Sequence, residues 1–466
     1  MTNRSARLIL SHRVAIGSLG MGMRTRNLRK PRHSVGVMIV GAIVTLAGCA
    51  AQPAKTQTGA PAGSTQATTP VASKPIDFHT LKETKCPSTA ASYQEWVAKF
   101  QSYALSKGKP DSVIQSAFAS VKENPEISDR ASKQPEFVTP VWSYLDRAVS
   151  DERVARGQQK YFENKVLLAG IDHDYGVPPE IVMGIWGIET DFGNNFGDAN
   201  VFEALTNLGY RANRQTFACA ELLAALDIVA KNNVPTSRMV GSWAGAMGHP
   251  QFLPSNYLTL AVDRDGSGAP DLWDSLPDAL ASAANHLVDD GWQRNLPWGL
   301  EVKLPATFPY GEAELDLVQP LSHWKQLGVT RMDGSALPDW PGNTSILLLA
   351  GHRGPAFLIT ENFKVILKYN YSTSYALSVA HLGDRILGGR RIIGTWPVQE
   401  QPLSLEEREE VQTLLQARGY EVGNVDGVLG LKSRKAARGF QKELGWPQDG
   451  FINKALLEEL RRRKSV

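Results

Sequence analysis

Glu189 is the carboxylate whose surroundings most suggest acid/base chemistry. It ends a run, residues 180–189, that is apolar on one side, follows Pro178 and Pro179, and breaks at Thr190-Asp191-Phe192-Gly193. Proline suits the first turn of a helix, so the run predicts a helix with Glu189 in its last turn. A carboxylate there meets the negative end of the helix dipole, and Ile185, Trp186, Ile188 and Phe192 stand near enough to exclude water. Both effects disfavour the ionised form. An acid still protonated near neutrality can protonate a glycosidic oxygen as the bond breaks. From position alone a solvated helix-end glutamate is the favoured reading, so other segments must decide.

Glycoside hydrolysis ordinarily sets two carboxylates on either side of the bond. Asp191 and Asp198 are nearest to Glu189 in sequence, but residues two apart do not share a helix face, and neither makes a convincing partner. A second segment, Gly241-Ser242-Trp243-Ala244-Gly245-Ala246-Met247-Gly248-His249-Pro250-Gln251-Phe252-Leu253-Pro254-Ser255, is rich in small residues. It would let a sugar approach the backbone while Ser242 and Gln251 supply hydrogen bonds. A third segment runs from Asn362-Phe363-Lys364-Val365-Ile366 through Lys368-Tyr369-Asn370 and Ser372 to Tyr375.

The three segments, in that order, resemble the motifs of the membrane-bound lytic murein transglycosylase B family, and the similarity covers nearly all of residues 78–393. The first, Ile185-Trp186-Gly187-Ile188-Glu189-Thr190-Asp191-Phe192-Gly193, is similar to the family's catalytic signature, whose glutamate falls on Glu189. The resemblance implies cleavage of the β-1,4 bond between N-acetylmuramic acid and N-acetylglucosamine in peptidoglycan, with no cofactor for catalysis. Glu189 would first protonate the leaving oxygen, then act as base on the C6 hydroxyl of the same muramic acid, leaving a 1,6-anhydro end. It further implies that Ser242, Tyr369 and Asn370 hold the sugar, and that Gln251 and Tyr375 line the same cleft. Two alternatives stay open: a non-catalytic lipoprotein that binds peptidoglycan, and a muramidase that uses water.

A separate constellation concerns metal. Asp263, Asp265, Ser267, Ala269, Asp271 and Asp274 stand at loop positions one, three, five, seven, nine and twelve, with Gly268 at six. This matches the EF-hand calcium pattern except that Asp replaces the bidentate Glu at twelve. The expectation is a structural calcium loop over residues 263–274, and the resembling family has a similar one. The histidines show no zinc-ligand spacing.

These residues need a scaffold. Apolar residues recur mostly at helical spacing from residue 78 to 393, as in Trp96, Phe100 and Tyr103 or Leu222, Leu223, Leu226 and Ile228. The main domain, residues 77–397, is therefore expected to be mostly helical with minor strands such as residues 300–304, and the resemblance implies an α+β lysozyme-like fold. A proline-bearing linker leads to a tail, residues 403–464. There helix-like runs at 405–418, 432–444 and 454–462 are separated by Asp426-Gly427 and Asp449-Gly450 turns, suggesting an internal duplication. The tail resembles the three-helix peptidoglycan-binding domain of cell-wall hydrolases, which implies stem peptides among its ligands. The usual Thr after the second Gly of that motif is absent, Leu431-Lys432-Ser433 standing in its place.

The first residues read as targeting. Arg24, Arg26, Arg29, Lys30 and Arg32 precede an apolar run, residues 35–48, of signal-peptide length. The run ends in Leu46-Ala47-Gly48-Cys49, which resembles a lipobox, so residues 1–49 are expected to be a lipoprotein signal with lipidation at Cys49. Ala50 after it implies retention on the periplasmic face of the outer membrane. Residues 50–76 are Ala, Gln, Thr, Pro, Gly and Ser with almost no large apolar side chain, a flexible tether. Lipidation would leave Cys86 and Cys219 as one pair in an oxidising compartment, and a disulfide between them is expected. With 42% apolar and 21% charged residues the full chain has the composition of ordinary globular protein, expected to be monomeric, and a net charge of +3 is no footprint for nucleic acid.

Overall fold

The computed structural model describes residues 76–127, 139–211, 214–232 and 234–463, which belong to one compact unit spanning 73–466. The signal segment, Cys49 and the tether up to residue 75 lie outside the described residues.

Two helical layers carry the main domain. One gathers α1 (Tyr93–Ser106), α2 (Asp111–Phe118), α7 (Val201–Arg211), α8 (Gln215–Lys231) and α9 (Pro254–Leu260) around Trp96, Phe100, Phe202 and Leu222, all essentially buried. A disulfide between Cys86 and Cys219, Cα atoms 6.0 Å apart, ties the chain before α1 to α8. The other layer holds α3 (Val141–Ala148), α4 (Asp151–Glu163), α5 (Lys165–Tyr175), α6 (Pro179–Thr190), α10 (Leu276–Asp289), α12 (Glu361–Tyr369) and α13 (Thr373–Ile386).

The tightest seam is that between α6 and α13. A Cβ on Gly184 would stand 2.2 Å from the Val379 carbonyl oxygen, and one on Gly383 would stand 2.1 Å from that of Glu180. The two backbones can touch because neither position has a side chain. Ser372 caps α13 by accepting the Tyr375 N–H at 3.3 Å, and Thr360 caps α12 by accepting that of Asn362 at 3.1 Å.

A five-stranded antiparallel sheet, larger than the expected minor strands, packs beside the helices. Its strands are β3 (Gly299–Lys303), β4 (Gln319–Pro320), β5 (Thr330–Arg331), β6 (Asn343–Leu348) and β7 (Ala356–Ile359), in the order β4-β6-β7-β3-β5. Beyond Asn343, β6 is buried at every residue, and its Thr344-Ser345 followed by Ile346-Leu347-Leu348 shows no alternation to mark it as a strand. The two-residue strands β1 (Ala199–Asn200) and β2 (Val240–Gly241) pair with each other and pin the loop after α6 to the small-residue loop.

The tail folds as α14 (Leu405–Ala417), α15 (Leu431–Glu443) and α16 (Lys454–Arg462) around Leu415, Phe440 and Leu457. Its duplication is physical. Gln412 accepts the N–H of Asp426 (3.1 Å) and Gly427 (2.8 Å) and donates to the Val428 carbonyl (3.1 Å). Gln441 likewise accepts the Gly450 N–H (2.9 Å) and donates to the Phe451 carbonyl (3.3 Å). The second turn faces the main domain, where Asp449 accepts the His352 backbone N–H at 2.8 Å and Arg438 pairs with Glu314.

Candidate active site

Glu189 stands in the last turn of α6, half-buried, as the sequence predicts. Its Oε1 accepts the Tyr375 hydroxyl at 2.5 Å. Tyr375 is 2% exposed, so it meets the carboxylate from inside the α6–α13 seam. Burial, with the nearby Glu189 charge adding to it, pushes the phenols of Tyr375 and Tyr369 well above their usual range. Both are neutral donors.

After Glu189 the chain turns sharply through positive φ at Asp191 (51°), Phe192 (60°) and Gly193 (87°). For Phe192 this costs about 1 kcal/mol or more, stored beside the carboxylate. The turn folds the Phe192 ring edge-on against Trp186, centroids 5.5 Å apart, under the helix end. It also swings Asp191 outward, where Arg153 Nε (3.2 Å) and Arg156 (3.0 Å) hold it. Asp198 lies exposed on the following loop. Neither aspartate joins Glu189 as a second acid, and the two arginines went unremarked in the sequence because the pairing spans more than thirty residues.

The small-residue loop sits opposite. Its chain doubles back through Ser242 N–H to Ala246 O (2.8 Å) and reciprocal bonds between Met247 and Phe252. A Cβ on Gly241 would lie 1.9 Å from the Ala246 oxygen, and a Cβ on Gly197 2.2 Å from that of Gly241. Here the small residues serve backbone packing. The Ser242 hydroxyl accepts the N–H of Ala244 (3.3 Å) and Ala246 (3.1 Å). Gln251, at φ 50°, donates to the carbonyls of Phe196 (3.2 Å) and Gly248 (3.0 Å), and Tyr369 donates to that of Pro250 (2.7 Å). These three bind the loops to each other, where direct sugar contacts were expected. Asn370 leaves α12 with extended backbone, and its side chain makes no hydrogen bond among the described residues.

His249 is a site residue that sequence reasoning passed over. Trp186 donates its indole N–H to His249 Nδ1 at 2.9 Å, and an indole cannot accept, so the ring proton of a neutral His249 resides on Nε2. Burial pushes this imidazole down to about 4. Its place inside the second motif was the available signal.

The expected calcium loop is assembled differently from its pattern. Asp263, Asp265 and the buried Asp278 bring carboxylate oxygens within 4.8 Å of one another. Asp278 accepts the N–H of Arg264 (2.7 Å), Asp265 (3.0 Å) and Asp271 (2.9 Å), drawing the loop around itself. Asp271 and Asp274 are instead held by Arg238, which removes the position-twelve Asp274 from the cluster. Ser267 lies beside Asp263 and donates to the Ala269 carbonyl at 3.2 Å. Three carboxylates in an all-oxygen setting suit a hard divalent cation.

The α6–α13 seam with Glu189 at its end, the small-residue loop and the sheet define a lysozyme-like glycan-cleaving enzyme. Residues 92–384 match the transglycosylase SLT domain model and residues 404–460 that of a peptidoglycan-binding domain; the chain belongs to the transglycosylase SLT family and is a peptidoglycan lytic transglycosylase. It is 30% identical over 270 residues to membrane-bound lytic murein transglycosylase B of Escherichia coli K12, covering 54% of this chain and 70% of that one. SltB3 from Pseudomonas aeruginosa, solved with NAG-anhNAM-pentapeptide, is 45% identical with a TM-score of 0.77 over 80% of this chain and all of that one. Escherichia coli Slt35, solved in complex with calcium, is 28% identical with a TM-score of 0.54 over 62% of this chain and 92% of that one.

Proposed function

We propose that Glu189 serves as both acid and base in a water-free cleavage of the bond between N-acetylmuramic acid and N-acetylglucosamine. It delivers its proton to the leaving oxygen of N-acetylglucosamine, the C6 hydroxyl attacks C1, and the C6 proton returns to Glu189. The products are a free N-acetylglucosamine end and a 1,6-anhydro-muramic end. The observation that carries this reading is the pairing of Asp191 with Arg153 and Arg156, which commits the carboxylate nearest in sequence to two guanidinium groups rather than to catalysis. Tyr375 is a positioning residue: by engaging Oε1 it holds the carboxyl group in one orientation. Ser242, Gln251 and Tyr369 keep the loop walls in place, and Asn370 offers its free amide to the sugar.

Digestion of purified sacculi by the parent and by Glu189→Gln, with muropeptides read by mass spectrometry, tests it. Anhydro-muropeptides from the parent and none from the variant support the reading. Reducing muramic ends would instead mean hydrolysis, and binding without release a scaffold.

The enzyme's setting follows from the same reading. Lipidated at Cys49 and tethered through residues 50–76, a monomer on the periplasmic face of the outer membrane would bring its catalytic domain, residues 77–397, to the cell wall. The peptidoglycan-binding domain, residues 403–464, would hold stem peptides. A structural calcium ion would sit among Asp263, Asp265 and Asp278, shielding three like charges, with no part in bond cleavage. Slt35, solved in complex with calcium, supports this assignment.

A further inference from the structure

A second cleft, of about 430 Å³, opens toward the end of α13 away from Tyr375, between the sheet edge and the segment that follows the helix. β3 pairs with β5 only at Val302 and Lys303, so residues 299–301 have no strand beside them there. Arg331, Arg390 and Arg391 line this opening, with His381 and Asp384 projecting from one face of α13.

The charges in this cleft do not neutralise each other in the usual way. Arg391 is engaged by Asp151 (2.5 Å), while Arg331 and Arg390 feel the charge of Asp333 without a close ion pair among the described residues. Asp384 lines the same cleft, and its carboxyl group accepts only the Trp298 indole N–H, at 3.1 Å. Burial, with Glu180 adding to it, pushes Asp384 up to about 7, and burial followed by the charges of Arg385 and Arg391 pushes His381 down to about 4. The His381 ring makes no hydrogen bond among the described residues. Of the other acids at the cleft, Glu301 already accepts the N–H of Ile393 (2.8 Å) and Gly394 (2.6 Å), and Asp333 accepts that of Ser335 (2.9 Å). Near pH 6 the cleft therefore presents a carboxylic O–H, an imidazole N–H and guanidinium groups, beside the carboxylates of Glu301 and Asp333. Donors of three kinds line it, and three guanidinium groups outnumber those two carboxylates.

We propose that this cleft is an oxyanion-binding site, separate from the Glu189 centre, which takes the carboxylate of an acidic sugar or a free ion of the same chemistry. Its volume falls in the range of small-ligand pockets. Arg331 and Arg390 supply the charge, and protonated Asp384 and neutral His381 supply directed hydrogen bonds. An ionised Asp384 repels the ligand, so binding takes up one proton, and affinity falls about tenfold for each pH unit above the Asp384 transition.

The indole N–H of Trp298, bonded to Asp384, reports on this cleft alone. In the full chain labelled with nitrogen-15 tryptophan, its resonance is identified by Trp298→Phe and followed by NMR. Sulfate, N-acetylmuramic acid and the neutral N-acetylglucosamine are each titrated at pH 6 and pH 8.5. The expected result is a saturable shift at pH 6 with the oxyanions and none with the neutral sugar, weaker by more than tenfold at pH 8.5. Arg331→Ala/Arg390→Ala, which alters exposed side chains, keeps the melting temperature and loses the shift. Asp384→Asn, which still accepts from Trp298, binds equally at both pH values. A response to N-acetylmuramic acid alone identifies an acidic sugar as the ligand, and one to sulfate alone a free ion. The proposal is overturned if neither oxyanion gives a saturable shift, if the neutral sugar matches them, or if the response survives loss of both arginines.

Discussion

The hydroxyl of Tyr375 donates to Oε1 of Glu189 at 2.5 Å, joining residues 186 apart in sequence across the α6–α13 seam. The seam closes this far because Gly184 and Gly383 let the backbones meet, so the orientation of the acid is set by helix packing rather than by a loop. A buried phenol that stays neutral cannot take the proton from Glu189, and it holds the carboxyl group by Oε1.

Tyr375→Phe removes that one donor and keeps the ring. A hydrogen bond to a charged group contributes about 1.5–3 kcal/mol, so kcat should fall about 10- to 100-fold. KM on a soluble glycan should change little, and the melting temperature should stay near the parent's. An unchanged kcat would show that α6 alone orients Glu189.

Asp191→Asn tests whether the neighbouring carboxylate does chemistry. Asparagine tolerates the left-handed conformation at this position, so the turn survives while the charge pairing to Arg153 and Arg156 is lost. The variant should lose about 1 kcal/mol of stability and keep kcat within about tenfold of the parent. Glu189→Gln should lose at least a thousandfold, on the order of 4 kcal/mol. Equal losses in the two variants would restore Asp191 as a catalytic partner.

What the sequence made legible, and what it hid, follows from distance along the chain. Glu189 could be placed in a helix-terminal turn because proline, apolar periodicity and the Asp191-Phe192-Gly193 break are all local signals. The helices of both domains and the paired Asp-Gly turns were legible for the same reason. Tyr375, Ser242, Gln251 and Tyr369 could be named by motif, but their partners could not, since each bond depends on how distant elements pack. Asp278 was missed as an organiser because it lies beyond the loop pattern, in the helix that follows. β6 was hidden by its uniform burial, which erases the alternation that marks a strand.

His249 and His381 should make the fold acid-sensitive above the usual carboxylate range. Each has its folded pKa lowered to about 4 from the ordinary imidazole value of 6.5, so the unfolded chain binds protons that the native one refuses between those values. Their contribution is present above pH 6.5 and is lost as pH falls toward 4, at about 3 kcal/mol each. Asp384, raised to about 7, acts in the opposite sense, its stabilising effect fading as pH rises from 3.8 to 7. Denaturant melts from pH 4 to 8 should therefore show a shallower acid loss in His249→Gln, whose amide can still accept from Trp186. An acid limb as steep as the parent's would mean that His249 is protonated in the native state.

The disulfide closes a loop of 133 residues between the chain before α1 and α8. Cross-linking restricts the unfolded chain most when the loop is long, so Cys86→Ser/Cys219→Ser should cost about 2–5 kcal/mol. Both sulfurs border the Trp96 layer rather than the Glu189 seam. Activity at low temperature should survive the substitution, while the melting temperature of the oxidised parent, but not of the variant, should drop on adding reductant.

Calcium titration by calorimetry separates the loop pattern from the folded arrangement. Asp274 fills position twelve of the pattern yet pairs with Arg238, whereas Asp263, Asp265 and Asp278 converge. Asp274→Asn should bind calcium within about threefold of the parent, since it removes a charge outside the oxygen cluster. Asp263→Asn should weaken binding at least tenfold, because one of three hard anionic ligands is lost. Calcium should also raise the melting temperature of the parent and of Asp274→Asn, and much less that of Asp263→Asn, as expected for a ligand that binds the native state alone. If Asp274→Asn abolished the heat, the loop would open away from Arg238 on binding and position twelve would be a ligand. No heat from the parent at millimolar calcium would mean that the backbone bonds to Asp278 hold the loop without a metal.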